Sequence, residues 1–257
     1  MEIIIISIAA FLTAILTFFS GFGLGTILTP IFAIFFPIDL AIALTGVVHF
    51  INNLFKIILV GKNARKAILI RFGIPAILAA FLGAWTLSYI NDWESILTYS
   101  IGEKFYHITP IKLVISLVLI FFSIFDLVPF LSSLQFDKNK MPIGGFLSGF
   151  FGGLSGHQGA LRSAFLIRAG LDKNTFIGTS VVIACFIDFT RLSVYSTRFV
   201  ESQLQDNLML VVCAGLSAIA GAIIGKRLLT KVTLGFVQKF VAIALIIISV
   251  LLGIGII

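Results

Sequence analysis

Apolar residues run along this chain in eight long stretches separated by short polar turns. They cover roughly residues 3–36, 38–60, 67–90, 111–134, 141–167, 174–197, 207–229 and 232–257. About 18 or more apolar residues in a row form a helix long enough to span a bilayer, so the pattern predicts membrane helices. Most stretches read as continuous helices, but two are interrupted. The first is broken by Gly21-Phe22-Gly23-Leu24-Gly25. The fifth is broken by Gly152-Gly153-Leu154-Ser155-Gly156-His157-Gln158-Gly159. The longest polar stretch is 91–110, where Trp93, Tyr99 and Tyr106 point to the membrane surface.

The eight stretches fall into two sets of four, which predicts a first repeat over 1–134 and a second over 135–257. In each set a glycine-broken stretch comes first and a helix with a polar end comes second. TGVVHFINNLFK (45–56) and TSVVIACFIDFTR (179–191) both begin Thr-small-Val-Val. Each ends in a polar i, i+3 pair, Asn53 with Lys56 and Asp188 with Arg191. Leu82-Gly83-Ala84 matches Ala220-Gly221-Ala222. Internal duplication is the usual architecture of secondary transporters.

Charge decides how the repeats are oriented. If each broken stretch crosses once, the halves are parallel; if each is a re-entrant hairpin, they are inverted. With hairpins, eleven Lys and Arg residues fall on one side, and Lys104, Lys112 and Arg198 on the other. With single crossings the division is seven against seven. Positive charge collects on the cytoplasmic side, so the expected fold is all-α, with two inverted repeats. Each repeat is a re-entrant hairpin followed by three transmembrane helices, and both termini lie outside the cytoplasm. Met1-Glu2-Ile3 lacks the basic start of a signal peptide, so the first stretch is expected to be retained.

Composition agrees with membrane residence. The 257 residues are 59% hydrophobic and 11% charged, against about 25% charged in soluble domains. Mean hydropathy is +1.15. The net charge of +7 sits mostly in short loops, without the aromatic interleaving of a nucleic-acid surface. Cys185 and Cys213 lie in apolar stretches and read as small hydrophobes. No metal-site spacing, P-loop or nucleophile elbow is present, so no metal, cofactor or enzymatic activity is expected. The lipid bilayer is the expected environment, and a homodimer stays open.

Several residues carry candidate chemistry. Gly23, Gly25 and Gly159 stand at the breaks, where missing side chains permit open backbone and close approach. The glycines equally suit tight helix packing, as Gly149-x-x-x-Gly153 and Gly21-x-x-x-Gly25 would. Free N–H groups at meeting hairpin tips would favour an anion, near Gly25, Thr26, Gln158 and Arg162. Arg162 reads either as an oxyanion ligand or as a structural counter-charge. His157 reads as a proton relay or as a hydrogen-bonded structural residue. Asp188 and Arg191 form either a gate or a neutral bridge. Lys56 guards a mouth or snorkels to the interface. In inverted halves, the Asn53–Lys56 and Asp188–Arg191 pairs would lie toward opposite faces. Asn52 and His49 line the path or bond between helices.

The breaks also carry a family resemblance. GFGLGTILTPIFAIFFPIDLAIALTG (21–46) and GFLSGFFGGLSGHQGALRSAFLIRAGLDKNTFIGTS (145–180) resemble the TauE/SafE sulfite-exporter family. Pro30, Pro37 and Thr45 fit its pattern in the first copy; Gly178, Thr179 and Ser180 fit it in the second. The second break departs from the family's frequent Gly-Ile-Gly-Gly-Gly, and Arg162 stands where an aliphatic residue is common. The resemblance implies a secondary transporter in a bacterial or archaeal inner membrane. It would export a small sulfur-containing anion, sulfite or an organosulfonate, by alternating access. A carrier for another small anion, and a membrane scaffold or partner subunit without transport, are the alternatives. An intramembrane enzyme using His157 and Asp188 is disfavoured by the missing nucleophile.

Overall fold

A computed structural model describes residues 1–20, 23–132, 134–196, 206–228 and 234–257. Gly21, Phe22 and Arg198, named above, lie outside the described residues. Ten helices of eight or more residues carry this part of the chain. The first five are α1 (Glu2–Ser20), α2 (Leu24–Ala33), α3 (Ile38–Val60), α4 (Ile74–Asn91) and α5 (Pro110–Leu127). The next five are α6 (Met141–Ser155), α7 (Gly159–Leu166), α8 (Lys173–Ser196), α9 (Leu208–Leu228) and α10 (Leu234–Gly253). Each follows an apolar stretch of the sequence. Four spans are long and apolar enough to cross a membrane: Ile38–Asn63, Lys66–Asn91, Lys173–Ser196 and Leu208–Arg227.

Both expected breaks are present. α2 restarts after Gly23. α6 ends at Gly156, whose φ of 82° is left-handed and suits a residue without Cβ. At about 1.5 Å per residue, α2 and α7 are too short to cross a bilayer alone. Local caps set other boundaries. Asp172 accepts bonds from the Thr175 side chain and from the Asn174 and Thr175 amides just before α8. Those donors, the Thr175 hydroxyl first, hold its carboxyl below the ordinary value.

The polar stretch 91–110 contains a β-hairpin, an addition to the expected all-α fold. β1 (Leu97–Ile101) pairs antiparallel with β2 (Lys104–Ile108) through a turn in which Gly102 has φ 63°. LTYSI and KFYHI put Tyr99 opposite Tyr106, their rings stacked 5.5 Å apart. The Tyr99 hydroxyl donates to the Ile254 carbonyl at 2.6 Å, tying the hairpin to the C-terminal segment.

The main helix interfaces are α4 with α6, α1 with α9, α3 with α8 and α5 with α10. Exchanging every helix of α1–α5 for the one five places later leaves this set unchanged. Small residues make two of these interfaces. A Cβ added at Gly145, Gly149 or Gly153 of α6 would overlap the carbonyl oxygens of Phe72, Ala76 and Ala80 in turn. Gly83 meets the Phe150 carbonyl, and Gly221 meets the Phe11 carbonyl. The matched tripeptides around Gly83 and Gly221 thus each pack on the first helix of the opposite set.

Gly149→Ala and Gly153→Ala are expected to lower stability by about 1–3 kcal/mol each, because backbone cannot retreat as a side chain can. Gly73→Ala, whose Cβ meets only Ile183 at 4.0 Å, should be near neutral. Thermal unfolding in detergent distinguishes them; equal melting temperatures for all three would refute the carbonyl-contact account.

Candidate functional site

Asp188 organises the buried polar residues. It has no exposed surface, and an ionised carboxylate only accepts hydrogen bonds. Oδ1 lies 3.0 Å from Arg191 Nε and 2.9 Å from Arg191 Nη2. Oδ2 lies 2.8 Å from His49 Nδ1 and 2.9 Å from Asn53 Nδ2. The i, i+3 spacing on α8 brings Asp188 and Arg191 together. The i, i+4 spacing of His49 and Asn53 puts both on the face of α3 that meets α8. The two polar pairs expected toward opposite membrane faces therefore meet, through Asn53 and Asp188.

Beside this cluster is a small cavity of about 30 Å³, room for roughly two waters. His49, Asn53 and Lys56 line it from α3, Arg162 from α7, and Ser180 from α8. Thr17 and Phe18 line it from α1, and Gly23 from the first break. Lys56 is 5% exposed and Arg162 is 4% exposed. Arg162 Nη1 donates to Gln158 Oε1 at 3.0 Å, and Lys56 Nζ stands 5.1 Å from the centre of the Phe18 ring. Among the described residues, neither cation has a carboxylate within 4.0 Å. Asp188 offsets Arg191, so Lys56 and Arg162 line the cavity as basic groups without a carboxylate partner among the described residues. Buried charge is costly unless paired, and the group that would pair these two is an anion.

The two breaks meet behind the cavity. A Cβ on Gly25 would lie 3.5 Å from the Gly156 carbonyl oxygen, and one on Gly23 would lie 3.9 Å from it. Gly156 also leaves room for Arg191, whose Nη1 would be 2.7 Å from an added Cβ. Gln158 opens α7, and its carbonyl accepts from Ser148 Oγ at 3.1 Å. His157 Nδ1 is 3.1 Å from the Ser155 carbonyl oxygen, and its ring stacks on Phe122 at 6.1 Å. Thr26, Asn52 and Gly159 are buried near these elements, and neither polar atom of the Asn52 amide has a hydrogen-bond partner.

Of the residues singled out from sequence, Gly23, His49, Asn53, Lys56 and Arg162 line the cavity. Asp188 and Arg191 stand behind it. Gly25, Thr26, Asn52, His157, Gln158 and Gly159 do not form its wall. Sequence reasoning passed over Thr17, Phe18 and Ser180. Ser180 had a readable signal: it lies two helical repeats before Asp188, on the same face of α8.

Asp188→Asn keeps the shape but leaves Arg191 buried without its counter-charge, which is expected to cost about 3–5 kcal/mol. Adding Arg191→Met should restore most of that loss. Denaturation of the single and double variants checks this; a single variant as stable as the wild type would mean the pair contributes nothing.

No curated protein and no solved structure matches this chain. The model of the family described as "Sulfite exporter TauE/SafE" matches residues 6–252, nearly the whole length. The apolar helices, the meeting glycine breaks and that match agree, and the chain belongs to the TauE/SafE family of multi-pass membrane transporters.

Proposed function

We propose that the chain exports a small sulfur-containing anion, sulfite or an organosulfonate, across the cytoplasmic membrane, holding it between Lys56 and Arg162. The observation that carries this reading is the pair of buried basic residues without a carboxylate partner that line one cavity. Ser180, whose hydroxyl has no partner, and the Asn53 amide offer neutral donors beside them. Gly23 lets the backbone approach. Gly25, Thr26, Asn52, His157, Gln158 and Gly159 form the support behind the wall, and Asp188 with Arg191 couples it to α8.

Alternating access is the proposed mechanism, with 1–134 and 135–257 as inverted halves and both termini outside the cytoplasm. Support comes from the Lys and Arg distribution, from α2 and α7 being too short to cross, and from the interface pattern that survives exchange of α1–α5 with α6–α10. The first helix of each set packs on the fourth helix of the other. Rocking of one set would therefore move both breaks, which meet behind the cavity.

Sulfite should raise the melting temperature of the purified protein and should be carried into proteoliposomes. A hydrogen bond to a charged group is worth about 1.5–3 kcal/mol. Arg162→Ala and Lys56→Met should each therefore weaken sulfite transport about 10- to 100-fold. Unchanged flux in both variants would remove this cavity from the mechanism. A protein unaffected by sulfite, sulfate, thiosulfate and sulfonates alike would be the scaffold or partner subunit instead.

A further inference from the structure

His49 is the one cavity-lining residue whose ordinary chemistry is to gain and lose a proton near neutral pH. Its two ring nitrogens face different neighbours. Nδ1 lies 2.8 Å from Asp188 Oδ2. Asp188 only accepts and is already bound by Asn53 and Arg191, so the Nδ1 proton is held in place. Nε2 is left as the atom that can take a second proton, its contact with Asn53 Nδ2 being a long one of 3.4 Å. It faces Gly23, where an added Cβ would lie 3.7 Å away, and both residues line the cavity. Gly23, without a side chain, leaves this nitrogen open on the cavity side.

We propose that His49 carries a proton in step with the anion, so that the cavity loads and releases the two together. This rests on the anion site proposed above. The charged groups acting on His49 are Asp188 and Arg191 from α8, Lys56 from its own helix, and Arg162 across the cavity from α7. α1 and the first break contribute Thr17, Gly23 and Leu24, none of them titratable. His157, the other buried histidine, is held at Ser155 and stacked on Phe122. In the empty cavity, a proton on Nε2 adds another positive charge to a wall that already bears Lys56 and Arg162. A dianion lying against that wall attracts the proton through the same field. The proton comes from water on the loading side, leaves on the other side, and no bond in the anion is broken. A pH gradient then drives the anion from the more acidic side, and export from a more alkaline cytoplasm is driven by the membrane potential acting on the net charge of one dianion and one proton.

The test is sulfite binding to the purified protein across a range of pH, with sulfite counted as the dianion so that its own titration drops out. One proton taken up per anion makes dianion affinity fall about tenfold per pH unit on the alkaline side. His49→Gln should flatten that slope, whereas His107→Gln, on the exposed hairpin, should keep it. Lys56→Arg separates the other candidate proton holder, because a guanidinium stays charged; it should also keep the slope. In proteoliposomes, a pH gradient should drive sulfite uptake through the wild type and not through His49→Gln. A wild type with pH-independent dianion affinity overturns the proposal. So does a slope that survives in His49→Gln, which assigns the proton to another group, or one that disappears in Lys56→Arg, which assigns it to Lys56. Absence of sulfite binding at every pH overturns the anion site itself, and this inference with it.

Discussion

A carboxylate without exposed surface must find donors for both oxygens or be neutralised, and Asp188 finds them on two helices. Arg191 comes from its own turn, while His49 and Asn53 come from α3. That arrangement fixes how α3 sits against α8. It also fixes which face of α3 carries Lys56, because Lys56 follows Asn53 by three residues. Had Asp188 instead bonded within α8 alone, α3 would be free to rotate, and Lys56 would not be held opposite Arg162. The cavity is in this sense a consequence of the Asp188 cluster: its wall is what remains once the carboxylate has taken its partners.

Glycine does two different jobs in this fold. Along α6, Gly145, Gly149 and Gly153 let the helix lie directly on α4 carbonyls. Lipid supplies no hydrophobic drive between helices, so close van der Waals contact must hold them. At the breaks, Gly156 takes a left-handed turn and its carbonyl lies against Gly23 and Gly25 of the other half. Such backbone is tolerated in a membrane only where protein or water covers it, and each break covers the other. The packing stripe anchors α6 firmly enough for the break at its end to be placed against α2.

Much of this was legible in the chain itself. Run length gave the helices, because a bilayer demands a nearly fixed count of apolar residues. The breaks were legible because glycine in two matching places stands out from such runs. The hairpin at 97–108 was less visible: its strands are short, and a polar stretch with interfacial aromatics also fits an irregular loop. The site was only partly legible. Helical spacing showed that Asp188 and Arg191 face each other, and likewise Asn53 and Lys56. It could not show that the two pairs meet, since that depends on how α3 docks on α8. Thr17 and Ser180 escaped notice because a lone hydroxyl on an apolar helix usually bonds back to its own carbonyl. Thr17 does bond to the Thr13 carbonyl, while Ser180 Oγ has no such partner.

The choice of Gln158 as the partner of Arg162 shows how such a site can bind and still let go. A carboxylate in that position would neutralise the guanidinium permanently and compete with any arriving anion. A neutral amide orients the fork at 3.0 Å but leaves its charge available. Phe18 does the same for Lys56, since a ring face attracts a cation by only about 0.5–2 kcal/mol. Each cation is thus held in position by a weak neutral neighbour. The full compensation of both charges is left to a group that comes and goes, and the acidic residue that could have supplied it, Asp188, is occupied by Arg191, His49 and Asn53.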